Sequence, residues 1–337
     1  MRKALLVMLP LCAMAALLAG CSTDDIVTFH SKGQVGVDER NLIILAFALM
    51  LLVVVPAILM TFWFGWKYRE SNAGAEYLPE WSHSTKIEVV VWGVPCLIIA
   101  ALAVVTYITC FSLDPYKKLA SDQAPVDIQV ISQPFKWVFI YPEDGIATVN
   151  EVHLPVNRPV TFHITSDFSM NSFAIPQLGG MIYAMAGMHT QLNLIANEAG
   201  VYNGLSTNYS GNGFSRMRFK AYAESDADYK AWIQKVKSSK GKVLDRTAYE
   251  GLRDYSLQGI EASKAAHYED PLDSDPVQYF SSVQPGLFQA VIDKYMDGYR
   301  TAEEIAAHKQ NPMEHMGHMD MGGMEMNAPA HAAGGHE

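Results

Sequence analysis

The chain has 337 residues, 50% of them hydrophobic and 18% charged, with a formal net charge of -10. That acidity excludes nucleic acid as a natural partner, and the apolar fraction sits at the upper edge for a soluble protein. The excess is concentrated in three runs, Ala4–Gly20, Leu42–Trp66 and Val89–Phe111.

The first run follows Arg2 and Lys3 and ends in Leu17-Leu18-Ala19-Gly20-Cys21. A charged start, a short apolar core and small residues before a cleavage point predict a secretory signal. The ending also resembles a bacterial lipobox, which makes Cys21 the expected site of lipidation and the new N-terminus. The other two runs each exceed the roughly 20 apolar residues needed to cross a bilayer and contain no charge, so they predict transmembrane helices. Pro56 and Pro95 fall within them, as membrane helices tolerate. With Cys21 on the outer face, the first helix runs inward and the second returns. Lys67, Arg69 and Lys86 flank the inner loop, but Glu70, Glu76 and Glu80 dilute the bias. Cys12 leaves with the signal, and Cys96 and Cys110 lie in the second helix, so the outer domain has neither disulfides nor thiolates.

From Val126 the pattern becomes short alternating runs: Val126, Ile128, Val130; Val160, Phe162, Ile164; Met217, Phe219, Ala221. Turn residues at Pro142–Gly145, Asn157–Pro159 and Gly179-Gly180 divide them, which predicts an antiparallel sandwich or barrel over about Val126 to Ala223. Helical periodicity follows at Asp226–Ser238, Thr247–Ala266 and Pro285–Asp297, with the second helix entered from a turn at Lys240-Gly241-Lys242. From Asn311 the chain is rich in Met, His, Gly and Ala with no apolar period, which predicts disorder. The expected layout is therefore a signal at 1–20, an outer segment at 21–40, spans at 41–67 and 88–112 around an inner loop at 68–87, an outer β domain at 113–225, a helical extension at 226–307 and a tail at 308–337.

The span from about Cys21 to Ala307 resembles subunit II of the haem-copper oxidases, most closely the cytochrome bo-type ubiquinol oxidase branch. The likeness rests on the two spans and on SHSTKIEVVVWGVP (Ser82–Pro95), FIYPEDGIATVNE (Phe139–Glu151), MNSFAIPQLGGMIYAMAGM (Met170–Met188) and YFSSVQPGLFQAVIDKYM (Tyr279–Met296), the last resembling an aromatic-rich motif of quinol oxidase subunits. The resemblance implies a membrane α+β chain: a two-helix transmembrane hairpin, then a periplasmic cupredoxin-like β-sandwich and C-terminal helices. It also implies oxidase subunits I, III and IV as partners, membrane lipid around the spans, and ubiquinol reached through subunit I, which would hold two haems and one copper.

In the branch that accepts electrons from cytochrome c, the matching domain holds two coppers between two bridging thiolates, with imidazole, thioether and carbonyl donors around them, a donor set suited to soft copper. Here the matching positions are Asn171, Ser206, Asn208, Ser210 and Phe214, and only Met217 keeps a donor of the expected kind. Met217 is expected to pack at the start of the last strand. An exposed Trp that receives electrons in that branch is matched by Phe135. Phe135, Trp137, Phe139 and Tyr141 equally read as one buried face of a strand. The resemblance thus implies no copper centre, no cofactor of the chain's own and no cytochrome c as donor.

Glu88 opens the second span. By itself it reads as a carboxylate at the positive end of a helix dipole. The resemblance implies instead the mouth of a proton path into subunit I, where a boundary carboxylate suits proton collection. The tail offers Met313, His315, Met316, His318, Met319 and Met321 as thioether and imidazole donors for copper. His30, His83, His153, His163, His189, His267 and His308 are scattered, with no ligand pair evident in the sequence. No nucleophile, acid–base pair or phosphate loop emerges. A membrane-tethered copper-binding lipoprotein remains the alternative, supported by the tail; a cytochrome c oxidase subunit is opposed by the missing ligands.

Overall fold

A computed structural model describes residues 26–72, 74, 80–211, 213–238, 242–253 and 276–296. Two long helices come first, α1 (Gln34–Lys67) and α2 (Thr85–Ser112). Their large apolar side chains point outward, Phe62 and Trp92 among them at 74% and 73% exposure. A helix that turns such residues outward along its length is built for lipid. At about 1.5 Å per residue, α1 is about 50 Å long, more than a hydrocarbon core of about 30 Å. Its first turns therefore extend beyond the bilayer to meet the β domain.

That meeting is made by backbone. A helix N-terminus leaves N–H groups without partners, and no side chain caps α1. The loop after the strand Asn171–Ala174 supplies carbonyls instead: Lys32 N–H and Gly33 N–H donate to Gln177 O at 2.7 and 3.1 Å, and Gly36 N–H donates to Leu178 O at 3.0 Å. Gly33 also bridges Ala196. A Cβ at Gly33 would collide with the carbonyl oxygen of Leu178, and one at Gly179 would lie 2.6 Å from Leu194 Cδ2.

Among the described residues twelve strands build the domain as two packed sheets: β1 (Val126–Gln133), β2 (Lys136–Tyr141), β3 (Ile146–Val149), β4 (Glu151–Pro155), β5 (Pro159–Ser166), β6 (Asn171–Ala174), β7 (Met181–Ala184), β8 (Thr190–Ile195), β9 (Gly200–Ser206), β10 (Arg218–Glu224), β11 (Lys242–Leu244) and β12 (Gln278–Val283). One sheet runs β11-β12-β3-β2-β1-β5-β8 and the other β4-β10-β9-β6-β7. Pairing is mixed, with β1–β5, β4–β10 and β11–β12 parallel. Between the sheets lie Trp137, Phe139, Phe162, Phe173 and Phe219, whose rings meet at centroid distances of 5.0–6.3 Å.

The helices of the extension are α3 (Asp226–Ser238), α4 (residues 246–253) and α5 (Leu287–Met296). The extension is more than helices, which corrects the sequence expectation. Lys242 opens a strand rather than closing a turn, and the segment from Val277 pairs along β3 as β12. The helix expected at Thr247–Ala266 is present to residue 253, and the rest lies outside the described residues. Short apolar runs of this kind are ambiguous in a single sequence, and edge pairing decides them. The extension also covers the outer face of the first sheet: Ile131, Val138, Ile140 and Val149 meet Phe280, Leu287, Phe288, Val291 and Ile292.

A buried carboxylate fastens this cover. Asp167, 1% exposed and just past β5, accepts from Lys294 Nζ at 2.7 Å, Tyr295 Oη at 2.9 Å and Tyr249 Oη at 3.0 Å. Burial and the neighbouring carboxylate push the Tyr249 and Tyr295 hydroxyls up, so both stay protonated donors. Nearby, Gln133 Nε2 donates to Tyr249 O and Lys136 Nζ to Leu252 O, at 3.1 and 3.0 Å. Asp167→Ala is expected to destabilise the domain by about 3 kcal/mol, because it strands buried donors; an unchanged denaturant midpoint by tryptophan fluorescence would contradict the clamp.

Candidate functional site

The loop joining β9 to β10 stands against β6, where Phe173 registers with Ser206. Ser206 N–H donates to Met217 O at 3.0 Å and so closes the loop. The residues that sequence reasoning set apart do converge here. Ser206 Oγ, 2% exposed as a residue, lies 3.1 Å from Asn171 Oδ1 and 3.3 Å from Asn208 O. Asn171 Nδ2 donates to Ser169 O at 3.1 Å, and Asn208 Nδ2 to Met170 O at 3.0 Å. Thr207 Oγ1 donates to Ser172 Oγ at 2.8 Å. Ser210 Oγ points at Met217 Sδ at 3.5 Å, and Met217 is buried immediately before β10. Phe214 meets Tyr209 edge-on at 5.7 Å.

This donor set does not fit a two-copper centre. Two hydroxyls, two amides, a phenyl ring and one thioether offer no thiolate to bridge soft ions and no imidazole to terminate them. The polar atoms are spent on each other and on backbone carbonyls, which gives a self-satisfied hydrogen-bond network. Among the described residues no three His, Cys, Asp or Glu side chains group as metal ligands.

Phe135 is not a regular strand residue. It turns the chain from β1 to β2 at φ 61°, is buried, and meets Phe168 edge-on at 5.9 Å. Its ring lies beneath Gly211 and Gly213 of the loop, so close that a Cβ at Gly213 would run into it. Trp137, Phe139 and Tyr141 are fully buried in the core, as the strand reading expected.

Glu88 lies in the first turn of α2. Sequence reasoning missed its neighbour: His83 Nδ1 is 2.6 Å from Glu88 Oε1, and His83 Nε2 is 3.1 Å from Thr85 Oγ1. Both acidic and imidazole side chains are about half exposed. Two further histidines that are scattered in the sequence are neighbours in the fold. His163 Nδ1 and His189 Nε2 stand 2.9 Å apart, brought together by the β5–β8 pairing. His163 is in register with Gln191, and His189 lies two residues from Gln191 on the same face, a register that the sequence does not signal. His153 is structural: it stacks on Trp232 at 3.9 Å and Tyr222 at 4.7 Å, with Glu151 and Glu224 at 3.0 and 3.2 Å. Cys21 and the tail residues Met313, His315, Met316, His318, Met319 and Met321 lie outside the described residues.

Set beside known proteins, residues 142–222 match the family described as cytochrome c oxidase subunit II, periplasmic domain, and residues 266–299 the COX aromatic rich motif. The chain is 52% identical over 283 residues to the cytochrome bo(3) ubiquinol oxidase subunit 2 of Pseudomonas aeruginosa, covering 84% of this chain and 80% of that one. It is 51% identical over 286 residues to the ubiquinol oxidase subunit 2 of Acetobacter aceti, covering 84% and 86%. The fold and the site thus define a subunit II of the haem-copper oxidase class, with two membrane helices and a cupredoxin-like sandwich. Within that class the chain belongs to the ubiquinol oxidase subunit 2 family.

The loop network allows a graded expectation. Ser206→Ala should cost about 1–2 kcal/mol through the unpaired groups it leaves. Gly213→Ala should cost about 1–3 kcal/mol through overpacking on Phe135. Thermal unfolding of both variants checks this; a neutral Gly213→Ala would mean that the ring is not fixed there.

Proposed function

We propose that this chain is a cofactor-free, non-catalytic subunit of a proton-pumping quinol oxidase. It docks on subunit I, which holds two haems and one copper and performs ubiquinol oxidation and oxygen reduction, and it assembles with subunits III and IV. The observation that carries this reading is the loop at Ser206–Met217: the frame of a copper domain is kept, while its ligand positions hold side chains that bond one another. Electrons then pass from membrane quinol to subunit I without crossing this chain, and cytochrome c has no receiving site on it. Relatives named as ubiquinol oxidase subunits support the same donor.

The location follows from the same reading. The two spans sit in the bacterial inner membrane with the sandwich on the periplasmic side. Cys21 carries lipid after removal of residues 1–20, which sets α1 running inward, leaves the Lys67–Ile87 loop cytoplasmic, and returns α2 outward. Glu88 then stands at the cytoplasmic mouth of a proton path, paired with His83. One observation favours a second role: the tail gathers Met313, His315, Met316, His318, Met319 and Met321, donors suited to copper. In that role the tail collects copper independently of the loop.

Purifying the tagged chain from membranes tests the main reading. Haem-bearing partner subunits and turnover with ubiquinol but not with reduced cytochrome c are expected; a chain that purifies alone and without haem overturns it. Deletion of residues 312–337 is expected to lower Cu(I) binding without altering quinol turnover. Glu88→Gln should slow oxygen reduction while haem content and assembly stay intact, and full turnover with normal pumping would remove Glu88 from the proton path.

A further inference from the structure

The pair His163–His189 is backed by a carboxylate. Asp127 Oδ1 lies 3.3 Å from His163 Nε2. An ionised carboxylate only accepts, so the Nε2 of His163 carries the proton and its Nδ1 presents a lone pair. That lone pair faces His189 Nε2 at 2.9 Å. Carboxylate, imidazole and open nitrogen in this order is the arrangement that orients metal-ligating histidines, the carboxylate fixing the tautomer and raising the basicity of the ligand nitrogen. Two Zn–N bonds of about 2.0–2.1 Å at a tetrahedral angle put the nitrogens about 3.3–3.4 Å apart. Making that room takes a spread of less than about half an ångström together with a tilt of both rings, so that nitrogens now aimed along the N–N line converge on an ion beside it.

We propose that His163 and His189 are the two protein ligands of a site for an imidazole-preferring divalent cation, Zn(II) or Cu(II), with water completing the coordination. Binding needs His189 to move its proton from Nε2 to Nδ1, a tautomer change that leaves the ring neutral and releases nothing. Water reaches the site, since His163 is 19% and Asp127 44% exposed. Neither histidine is bound up with the loop at Ser206–Met217 or with the tail, so the proposal is independent of the functional reading above.

The site's position gives the cation something to do. His163 lies on β5, His189 directly precedes β8, and the edge of the His189 ring meets Phe288 of α5 at 5.8 Å. A bound ion would staple the β5–β8 pairing beneath the aromatic-rich helix, and it would stabilise the fold by binding only the native arrangement.

The test is zinc binding by the full-length chain in detergent, measured by equilibrium dialysis with elemental analysis and by thermal unfolding. The tail is present in every protein compared, so its own affinity cancels. The unaltered chain should retain one Zn(II) more than H163Q/H189Q, and zinc should raise its unfolding temperature but not that of the variant. Asp127→Asn should weaken this one site by about 10- to 100-fold. If the double variant fails to fold in chelator, the single H189Q, which keeps a side-chain donor for His163, serves in its place. Equal zinc content in altered and unaltered chains, or an unfolding temperature indifferent to zinc, overturns the proposal.

Discussion

Every side chain of β2, from Lys136 to Tyr141, is buried, so the central strand of the larger sheet gives neither face to water. A sheet with antiparallel strands can leave one face to water, but this mixed sheet needs a cover on each side. The smaller sheet provides the first, through the aromatic cluster around Trp137 and Phe173. The C-terminal extension provides the second, with Phe280, Leu287, Phe288, Val291 and Ile292 each contributing about 1.5–3 kcal/mol of burial. Removing that cover would expose Ile131, Val138 and Ile140 beside a membrane. The aromatic-rich segment is therefore part of the domain's core, not an appendage to it.

Asp167 fastens the extension to the larger sheet. Its carboxylate holds Tyr249, Lys294 and Tyr295 of the extension, and its N–H donates to Ser132 O at 2.8 Å. The next residue, Phe168, packs on Phe135, which in turn supports Gly211 and Gly213 of the β9–β10 loop. A continuous chain of contacts thus runs from the extension to the loop through one buried charge. The left-handed backbone at Phe135, on the β1–β2 turn, places its ring beneath that loop.

The membrane spans and the sandwich were legible in the sequence because each has a strong local signature: about 20 apolar residues without charge and period-two alternation both survive without tertiary information. The converging loop positions were legible only through the resemblance to subunit II chains, which set Asn171 beside Ser206, Asn208, Ser210, Phe214 and Met217 as one group. What could not be read depends on partners distant in the chain. The segment at Gln278–Val283 becomes a strand only because β3 offers an edge. Phe135 looks like one more alternating aromatic until its φ is seen. His163 and His189 are 26 residues apart, and only the register of β5 on β8 brings their ring nitrogens together. Asp167 carries no sequence signal at all, since its meaning lies in side chains 82 to 128 residues away.

Under the copper-free reading, the persistence of the frame has a physical reason. The loop's positions lie over a core that the domain needs for other purposes: Met217 is buried in it, Ser206 closes β9 onto β10, and Asn171 begins β6. The loop following β6, Gln177 to Gly180, is also what caps the first membrane helix. Losing thiolates costs such a structure little when hydroxyls and amides can satisfy one another in their place. Losing the loop's path would disturb the strand that carries the helix cap. Electron-transfer ligands can thus be exchanged while the sandwich, its aromatic cover and its grip on α1 stay fixed, since the grip depends on backbone carbonyls that no side-chain substitution removes.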